Sequence, residues 1–432
     1  MQQSTVKSIL NEKLEGKDVL IKGWLVTKRS SGGVQFLMIR DGTGIIQSTI
    51  HKDKVSEKVF DNAEKLTQES SVEVKGTVLR DKRAPDGYEL GIKDLQIIHL
   101  AEEYPLAKKE HGVEFLMDYR HLWIRSPKQR AILKVRSEVI KACRDFFDER
   151  DYVLIDSPVF TPSACEETST LFNTEYFGKR AYLTQSGQLY VEAAIAAFSK
   201  VYCLGPTFRA EKSRTRRHLT EFWQIEPEMA FMGLNDCIKV QEELVSYMVE
   251  SVLERCDKEL ETLKRNITPL RKVKPPFPRL SYTEAVDMLK KGEIKIEWGE
   301  DFGTPHEKFL SKMFDKPIIV HRYPAHAKAF YMQPDPEDPK VVLCDDMLAP
   351  EGYGEIIGGS ERIWSLKVLK QKIEEFNLPK EAYEWYMDLR KYGSVPHSGF
   401  GMGIERIVMW ICKLKHIREA IPFPRTTRRL YP

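Results

Sequence analysis

Short runs of alternating hydrophobic and polar residues fill the first hundred positions of the chain, separated by residues typical of turns. Such alternation predicts β-strands with one buried face. The predicted strands are residues 19–26, 34–40, 45–50, 72–79 and 88–100. Helical periodicity occurs at residues 54–66, between the third and fourth strands. Five strands with a helix after the third predict an all-β OB-fold barrel at residues 1–101, a fold that often binds single-stranded nucleic acid.

Three residues of this barrel are candidates for binding a nucleic-acid base. Phe36 and Gln47 are predicted on neighbouring strands across a turn, and Arg29 in the preceding loop. An exposed ring can stack on a base, which is worth about 1–3 kcal/mol, and an adjacent amide can read the base edge. The alternative is that Phe36 belongs to the barrel core and Gln47 is solvated.

A charged segment with two prolines follows the barrel. These residues, 102–130, predict a connector to a second domain at residues 131–432. Helical periodicity predicts helices at residues 131–150 and 237–263. The length of 432 residues exceeds that of one ordinary core and predicts two or three domains.

The stretch at residues 208–231 predicts a strand, a basic loop and a second strand. One face of the second strand carries Phe222, Gln224, Glu226 and Glu228. Arg209 and Glu211 are expected to share a face of the first strand. Charges on a covered sheet face are costly to desolvate unless something binds them, so the pattern favours a ligand site over a solvated outer face. Pro227 lacks an N–H group for the ladder and predicts a sheet edge or a bulge.

Glycine recurs at every second position near the C-terminus, at Gly399, Gly401 and Gly403. A strand with this pattern has one face without side chains, on which a flat ligand can lie. Arg406 then falls in the first turn of a helix, where a cation is unfavourable unless an anion shares the site. The alternative is a glycine-rich strand packed under a neighbouring element.

The composition of the chain bears more on its cellular location than on its chemistry. No apolar run approaches the ~20 residues of a membrane span, and the N-terminus has no secretory pattern. Seven cysteines are scattered without a C-x-x-C pair, which argues against disulfides and a cysteine-rich zinc site and fits a reducing compartment. A cytoplasmic protein is therefore expected. The net charge of +3 permits a nucleic-acid partner without requiring one.

Taken together, three segments resemble the three sequence motifs of class II aminoacyl-tRNA synthetases. Residues 153–158 are similar to the first motif, residues 208–228 to the second and residues 399–406 to the third. Within that class, nearly the whole chain resembles the aspartate/asparagine group in its compact, archaeal-like form. Asp151 departs from the pattern, because the first motif usually has glycine there. The resemblance implies an α+β catalytic domain, with an antiparallel sheet flanked by helices, and a homodimer formed through the first motif near Pro158.

The resemblance implies that ATP is a substrate and Mg²⁺ a cofactor. The implied ATP-binding residues are Arg209, Glu211, Arg217, His218, Phe222, Gly403 and Arg406. Arg209 is expected to hold the α-phosphate, Phe222 to stack on adenine and Arg406 to hold the γ-phosphate. Asp346 and Glu355 are the implied Mg²⁺ ligands, with Gly358 where aspartate enzymes often have serine. Catalysis is expected to depend on Arg209, Glu355 and Arg406.

The resemblance also bears on which amino acid is the substrate. The residues implied to bind it are Glu166, Gln185, Gln188, Glu226 and Arg362. Residues 185–192 read Q-S-G-Q-L-Y-V-E, whereas aspartate enzymes typically have Q-S-P-Q-L-Y-K-Q. Val191 thus replaces the lysine that neutralises an aspartate side chain, and an aspartate would face Glu226 uncompensated. Like charges about 4 Å apart repel by about 4 kcal/mol at an effective dielectric of ~20, which favours asparagine. The alternative is that Val191 is a packed helix residue and selectivity lies elsewhere.

The same resemblance implies that the barrel binds the tRNA anticodon through Arg29, Phe36 and Gln47. The expected activity is ATP-dependent ligation of L-asparagine to tRNA(Asn). One alternative is an aspartate–tRNA ligase, including one that charges both tRNAs. Another is an ammonia-dependent asparagine synthetase, whose relatives lack the barrel. A third is a non-catalytic tRNA-binding paralogue, which would have lost Arg209, Glu355 or Arg406.

Overall fold

The first part of the chain forms a sheet that closes on itself. Its elements are β1 Gln2–Gln3, α1 Val6–Glu12, β2 Asp18–Ser31, β3 Val34–Arg40, β4 Ile45–His51, α2 Glu57–Lys65, β5 Ser71–Arg80 and β6 Tyr88–His99. The strand order is β1-β2-β3-β4-β6-β5, and β5 also pairs with β2, which closes the barrel. Alternating residues such as Ile21, Leu37 and Val74 form its core. The predicted OB-fold barrel, with a helix after the third long strand, is confirmed.

The computed structural model describes residues 2–12, 14–106, 109–166, 168–213 and 215–432. The chain divides into two units, Met1–Gly112 and Val113–Pro432. This division falls within the segment predicted as a connector. The second half of the predicted connector packs into the second unit. There, the buried guanidinium of Arg120 donates to the carbonyls of Pro422 (2.7 Å) and Ile421 (2.9 Å).

The second unit contains one large sheet, a small sheet and flanking helices, as expected for an α+β catalytic domain. Its helices are α3 Val113–Asp118, α4 Arg120–Trp123, α5 Pro127–Asp148, α6 Gln188–Phe198, α7 Leu234–Arg255, α8 Asp257–Thr262, α9 Thr268–Arg271, α10 Tyr282–Lys291, α11 Thr304–Lys312, α12 Leu366–Glu375, α13 Glu384–Lys391 and α14 Ile404–Ile411. Its strands are β7 Val153–Leu154, β8 Phe160–Thr161, β9 Asn173–Tyr176, β10 Lys179–Leu183, β11 Lys200–Phe208, β12 Glu221–Ala230, β13 Arg279–Ser281, β14 Ile318–His321, β15 Cys344–Ala349, β16 Gly354–Glu361 and β17 His397–Gly403. The helix predicted at residues 237–263 is two helices, α7 and α8, because the backbone leaves helical geometry at Cys256.

The large sheet has the order β13-β14-β15-β16-β17-β12-β11-β7 and is antiparallel except at its two ends. On β12, Ile225 and Met229 are buried in the core beneath the sheet, with residues of α5, α7 and α14. Glu226 and Glu228 lie on the opposite face, as the alternation predicted, and both are buried. The alternative of a solvated outer face is therefore wrong for these two residues.

Pro227 lies neither at a sheet edge nor at a register-shifting bulge, so the prediction of one or the other is wrong. Strand β12 is central, between β17 and β11, and Pro227 is opposite Tyr202 of β11. The register with β17 is the same on both sides of the proline, but Glu226 and Pro227 themselves have no paired residue there. The sheet thus accommodates the missing N–H group by a local interruption of one ladder.

Strand β11 ends at Phe208, so Arg209 and Glu211 lie in the loop before β12. The prediction that these two residues share a strand face is wrong. Side chains in a loop do not alternate between two faces as they do in a strand. Arg209 and Glu211 can therefore both face one ligand site.

Asp151 precedes β7 with a φ of 61°, in the left-handed region. Glycine adopts this conformation without steric cost, and aspartate is among the residues that tolerate it. Asp151 thus adopts a backbone conformation that glycine would also adopt. Strand β7 then pairs in parallel with β11 at the end of the sheet.

We expect Gly399→Ala to destabilise the second unit. A Cβ atom at Gly399 would lie 2.2 Å from Oε1 of Glu228 and 2.4 Å from the backbone oxygen of Pro227. Relief of such overlap in a packed sheet costs about 1–3 kcal/mol, so the midpoint of thermal unfolding should fall. Gly205→Ala on β11 is the matched control, because a Cβ there meets no atom within 4 Å. Equal unfolding midpoints for the two variants would contradict this account.

Candidate active site

A cavity of about 620 Å³ opens above the face of the large sheet that carries Glu226. Thirteen of the fourteen candidate residues of the second unit line it: Glu166, Gln188, Arg209, Glu211, Arg217, His218, Phe222, Glu226, Asp346, Glu355, Arg362, Gly403 and Arg406. The fourteenth, Gln185, is buried without lining it. Residues separated by more than two hundred positions therefore meet at one site.

One end of the cavity is built around Glu355 and Arg406. The guanidinium of Arg406 donates to Oε2 of Glu355 at 2.8 Å from the first turn of α14. Burial would raise the pKa of the Glu355 carboxyl, but Arg406 and Lys328 hold it at about 2. Glu355 is therefore an anion at any pH near neutrality.

A β-bulge brings Glu355 to the same face as Asp346. Asp346 is opposite Gly358, but the register between β15 and β16 shifts by one residue after Met347, and Leu348 is opposite Glu355. Residues 346 and 348 share a face, so the shift turns Glu355 toward Asp346. Without the bulge, Ile356 would occupy that face.

The two carboxylates form a pocket suited to Mg²⁺. A Cβ atom at Gly358 would lie 3.5 Å from Oδ1 of Asp346 and 3.6 Å from Oε1 of Glu355, so both oxygens converge on one small space. Mg²⁺ favours carboxylate oxygens supplemented by phosphate and water, and two protein ligands suffice for such a site. Within the described residues, no group of three or more His, Cys, Asp or Glu side chains could hold a metal. The residues thus fit a metal that arrives with a phosphate ligand.

Lys328 also lies at this end of the cavity, although the sequence predicted no role for it. Its Nζ donates to Oδ2 of Asp346 at 2.9 Å. Burial raises the pKa of Asp346 to about 6, the nearby charge of Glu355 acts in the same direction, and Lys328 opposes both. No spacing or motif in the sequence assigns Lys328 a role at this site.

A second unpredicted residue, Glu307 of α11, holds Arg217. Its Oε2 accepts from Nη1 of Arg217 at 2.6 Å and from the backbone N of Glu355 at 2.8 Å. Arg217 also donates to the carbonyl of Glu355 at 3.1 Å. Nothing in the spacing of the sequence links α11 to this site.

His218 lies in the same loop as Arg217. Its Nε2 is 3.7 Å from a carboxylate oxygen of Glu211, and its Nδ1 contacts the hydroxyl of Thr215. Burial, reinforced by the charge of Arg406, lowers the pKa of His218, so its ring is neutral at physiological pH. Arg214, also part of the predicted basic loop, lies outside the described residues.

Arg209 and Phe222 face each other above the sheet, with the guanidinium carbon 5.5 Å from the ring centroid. The Nε of Arg209 is buried and has no hydrogen-bond partner within the described part of the chain. An unsatisfied cationic donor in a cavity is a ready site for an anion. The ring and the guanidinium together suit an aromatic base attached to a phosphate.

The glycines of β17 differ in whether the space above their backbone is open to a ligand. Gly401 and Gly403 line the cavity and leave their backbone accessible to a ligand. At Gly399 the side chain of Glu228 occupies the space above the backbone. The prediction of an open glycine face is therefore wrong at Gly399, where the alternative of close packing applies.

At the other end of the cavity, Glu226 is held by three donors. Its Oε1 accepts from the hydroxyl of Ser186, and its Oε2 accepts from the backbone N of Gly187 (2.8 Å) and from Sγ of Cys203 (3.4 Å). Burial raises the pKa of Glu226, and these donors oppose that effect. A carboxylate has about four acceptor sites, so one on Oε1 is left for a ligand.

Arg362 is paired with the second buried carboxylate of β12. Its Nε lies 3.2 Å from Oε1 of Glu228, and its Nη1 donates to Oγ of Ser360 at 2.6 Å. Burial raises the pKa of Glu228 to about 7, and Arg362 opposes that shift. Arg362 is thus hydrogen-bonded to a buried carboxyl group before any ligand binds.

Glu166 and Gln185, the expected pair for an amino group, lie at different depths. Glu166 lines the cavity and lies 3.6 Å from Arg209 and 3.4 Å from the hydroxyl of Tyr331. The side-chain oxygen of Gln185 accepts from the backbone N of Glu166 at 3.2 Å. Gln185 therefore supports Glu166 from below the cavity surface.

Val191 does not line the cavity. It is fully buried with Ile195, Val201 and Cys203, between α6 and β11. Its side chain is thus a packed helix residue, as the alternative held, and any effect on selectivity comes from the lysine that the position lacks.

The barrel unit holds its three candidate residues on one outer face. Arg29 is on β2, not in a loop, directly opposite Phe36 of β3, and its guanidinium carbon lies 4.4 Å from the ring centroid. Phe36 is half-buried and stands apart from the barrel core. Gln47 is buried rather than solvated, and its Nε2 donates to Oε2 of Glu89 at 3.0 Å. The alternative given above for Phe36 and Gln47 is therefore wrong for both.

Comparison with known proteins identifies close relatives over the whole chain. Residues 112–427 match the family model described as "tRNA synthetases class II (D, K and N)", and residues 19–98 match an OB-fold nucleic acid binding domain. The chain is 56% identical to an asparagine–tRNA ligase of Pelotomaculum thermopropionicum over the full length of both, and 58% identical to one of Desulforamulus reducens over 96% of this chain and 97% of the relative. The crystal structure of asparaginyl-tRNA synthetase from Pyrococcus horikoshii complexed with asparaginyl-adenylate superposes with a TM-score of 0.97 at 50% identity, covering 100% of this chain and 99% of that one.

We expect Phe222→Ala to weaken the binding of an adenine nucleotide by roughly 5- to 150-fold, since stacking on an aromatic side chain is worth about 1–3 kcal/mol per base. The affinity for ATP can be measured by calorimetric titration. Trp223→Ala is the control, because Trp223 lies on the opposite face of the same strand and does not line the cavity. Loss of affinity in the Trp223 variant alone would show that the nucleotide binds elsewhere.

Proposed function

Because the chain belongs to the class II tRNA synthetases of the D, K and N group, we infer that it activates L-asparagine with ATP and transfers it to tRNA. It is an aminoacyl-tRNA ligase with an OB-fold tRNA-binding domain. The geometric observation that carries the choice of substrate is a cavity with unlike ends. Arginines suited to phosphates lie at one end, and Glu226, with no lysine beside it among the described residues, lies at the other.

The proposed reaction has two steps, and neither needs a protein nucleophile. The α-carboxylate of asparagine attacks the α-phosphorus of ATP in line, and pyrophosphate leaves. A ribose hydroxyl at the 3′ end of the tRNA then attacks the acyl carbon, and AMP leaves. Arg209 and Arg406 supply positive charge to the phosphates, which is the main form of catalysis in phosphoryl and nucleotidyl transfer.

Asp346 and Glu355 are the residues proposed to hold Mg²⁺ at the phosphate end. When bound, the ion neutralises phosphate charge and orients the leaving group. Lys328 and Arg406 already balance the two carboxylates. They keep both side chains oriented toward the space beside Gly358.

Selectivity for asparagine is proposed to depend on Glu226. Its remaining acceptor site suits the NH₂ group of a carboxamide, whereas an aspartate carboxylate would bring a second negative charge to it. At about 4 Å and an effective dielectric of ~20, that repulsion is about 4 kcal/mol, or roughly a thousandfold in binding. Cys203 and Ser186 fix the carboxylate so that it cannot turn away from a ligand.

The barrel is proposed to bind the anticodon of tRNA(Asn), with Phe36 stacking on a base and Gln47 reading its edge. Arg29 supplies positive charge beside the ring. Glu89 orients the amide of Gln47, because its carboxylate accepts from Nε2 and leaves the side-chain oxygen for a base donor.

A homodimer through the first motif is proposed as the assembly. Around Pro158, the apolar residues Val153, Leu154 and Phe160 are exposed by 38%, 39% and 50%. Contiguous exposed apolar residues are typical of protein interfaces. Within the described residues no helix is long and apolar enough to cross a membrane. The cytoplasm is the proposed location, in keeping with seven cysteines that are all free.

The test of the proposed function is amino-acid-dependent exchange between ATP and pyrophosphate. Asparagine should support exchange in the presence of Mg²⁺, and aspartate should support it at least 100-fold less well by kcat/KM, given the charge repulsion at Glu226. Comparable exchange with both amino acids would indicate a non-discriminating enzyme. Exchange with aspartate alone would overturn the assignment.

Phe36→Ala should raise the KM for tRNA(Asn) by roughly 5- to 150-fold through loss of base stacking. ATP–pyrophosphate exchange should be unchanged, because Phe36 belongs to the barrel unit and the cavity to the second unit. Aminoacylation and exchange measured on the same preparation separate the two effects. A parallel loss of exchange would contradict the division of tasks between the units.

A further inference from the structure

Glu307 of α11 is a carboxylate that joins three segments of the phosphate end, and the function described so far gives it no task. Its Oε2 accepts from Nη1 of Arg217 at 2.6 Å and from the backbone N of Glu355 at 2.8 Å. The side chains of Glu307 and Arg217 are exposed by only 12% and 11%. One oxygen atom thus links a helix, the loop before β12 and the strand that carries a proposed metal ligand.

The backbone of Glu355 is the fixed frame for this contact. Strand β17 pairs with β16 at residues 357–361, so Glu355 lies beyond the end of that ladder. Its N–H group donates to Glu307, and its carbonyl oxygen accepts from Nη2 of Arg217 at 3.1 Å. Glu307 and Arg217 are therefore bonded to each other and to the same backbone residue, and each side chain limits the movement of the other.

Gly354 leaves the space that this ion pair occupies. Its φ of 71° lies in the left-handed region, which glycine adopts without steric cost. A Cβ atom at this position would lie 2.5 Å from Nη1 of Arg217 and would overlap Oε2 of Glu307. The turn before Glu355 can therefore approach the ion pair closely only because it has no side chain there.

Arg217 lies at the end of the cavity where phosphates are proposed to bind. It lines the cavity, and its Nη2 shares the carbonyl oxygen of Glu355 with Nη1 of Arg406, which is 3.3 Å from that oxygen. The contacts with Glu307 and Glu355 use two of the five N–H groups of a guanidinium, so donors are left for a ligand. Two arginines around one carbonyl oxygen suit an anion with several oxygen atoms, such as the terminal phosphates of ATP.

We propose that Glu307 is a positioning residue for ATP, because it holds the guanidinium of Arg217 where the β- and γ-phosphates bind. This inference rests on the proposed function, in which ATP is a substrate. A mobile arginine loses side-chain freedom when it binds a phosphate, whereas an arginine held beforehand has already lost part of it on folding. Glu307 does not line the cavity, and its charge alone would repel the phosphates. Its contribution to binding therefore acts through Arg217.

The test compares the full-length enzyme with its Glu307→Gln variant by calorimetric titration, without asparagine so that no ATP is consumed. Glutamine keeps the size of the side chain and an acceptor for the backbone of Glu355, but it loses the charge that holds Arg217. The affinity for ATP in the presence of Mg²⁺ should fall by about 10-fold or more, the scale of one hydrogen bond to a charged group. The affinity for AMP, which lacks the terminal phosphates, should stay within about twofold, the range of a neutral change.

A merely structural role would lower the affinity for both nucleotides, so an equal loss would overturn the proposal. An unchanged affinity for ATP would overturn it as well. A higher affinity would also overturn it, because Glu307 would then compete with the phosphates for Arg217 instead of positioning it. Glu297→Gln is the matched control: it removes one negative charge before α11, at a side chain that is 84% exposed and lies 3.6 Å from Lys290. Both affinities should be unchanged in the control.

A double-mutant cycle with Arg217→Met shows whether Glu307 acts through the arginine. Once the guanidinium is absent, Glu307→Gln should leave the affinity for ATP unchanged or raise it, because the change then removes an unpaired carboxylate near the phosphates. A further loss of affinity in the double variant would contradict the proposed coupling and overturn the proposal.

Loss of folding in Glu307→Gln would be seen as a lowered thermal midpoint, because the guanidinium of Arg217 would lose its anion. Arg217→Lys then carries the test alone, since a lysine keeps the charge but cannot bond to Glu307 and Glu355 in the same fixed geometry. The affinity for ATP must fall in that variant while the affinity for AMP is kept, and an unchanged affinity for ATP overturns the proposal. Absence of ATP binding by the unmodified enzyme would instead refute the proposed function, so the two failures are distinguishable.

Discussion

The ion pair between Glu228 and Arg362 is the interaction on which the floor of the cavity depends. Both residues are buried to 2% exposure or less, and the side chain of Glu228 occupies the space that Gly399 leaves free. Removing one member of such a pair typically costs about 3–5 kcal/mol, because the other charge stays buried without a partner. Arg362 also lies 5.3 Å from the ring centroid of Tyr331, whose hydroxyl approaches Glu166. The pair thus connects the sheet to Tyr331 and Glu166, which also line the cavity.

Charge pairing also holds at the phosphate end, where three cations of the described residues each have an anionic neighbour before ligands bind. Arg406 pairs with Glu355, Lys328 with Asp346, and Arg217 with Glu307. A magnesium–nucleotide complex brings charges of both signs, so it can replace these partners by an exchange rather than by burying new charge. These pairs hold the side chains in place before binding, which reduces the reorganisation that binding requires.

Sequence periodicity predicted the faces of β12 correctly, because alternation is a property of any extended backbone. It could not predict that Glu355 and Asp346 share a face, since this depends on a one-residue bulge in β16 that only the pairing with β15 defines. Pro227 was misplaced for a related reason: a central ladder can skip one position without losing its register. Lys328 and Glu307 were missed because they come from segments whose contact with the site is purely tertiary.

Asparagine and aspartate differ in a single terminal group and hardly in size, so a pocket cannot separate them by shape. Discrimination must come from the number and direction of hydrogen-bonding groups, where a missing donor leaves buried acceptors unpaired. In the proposed function, the second unit meets this demand through fixed hydrogen-bond partners for its own polar groups. Three donors occupy Glu226 and leave one acceptor site on its carboxylate. Under the proposed function, selectivity for asparagine then depends on the donors that hold Glu226 as well as on Glu226 itself.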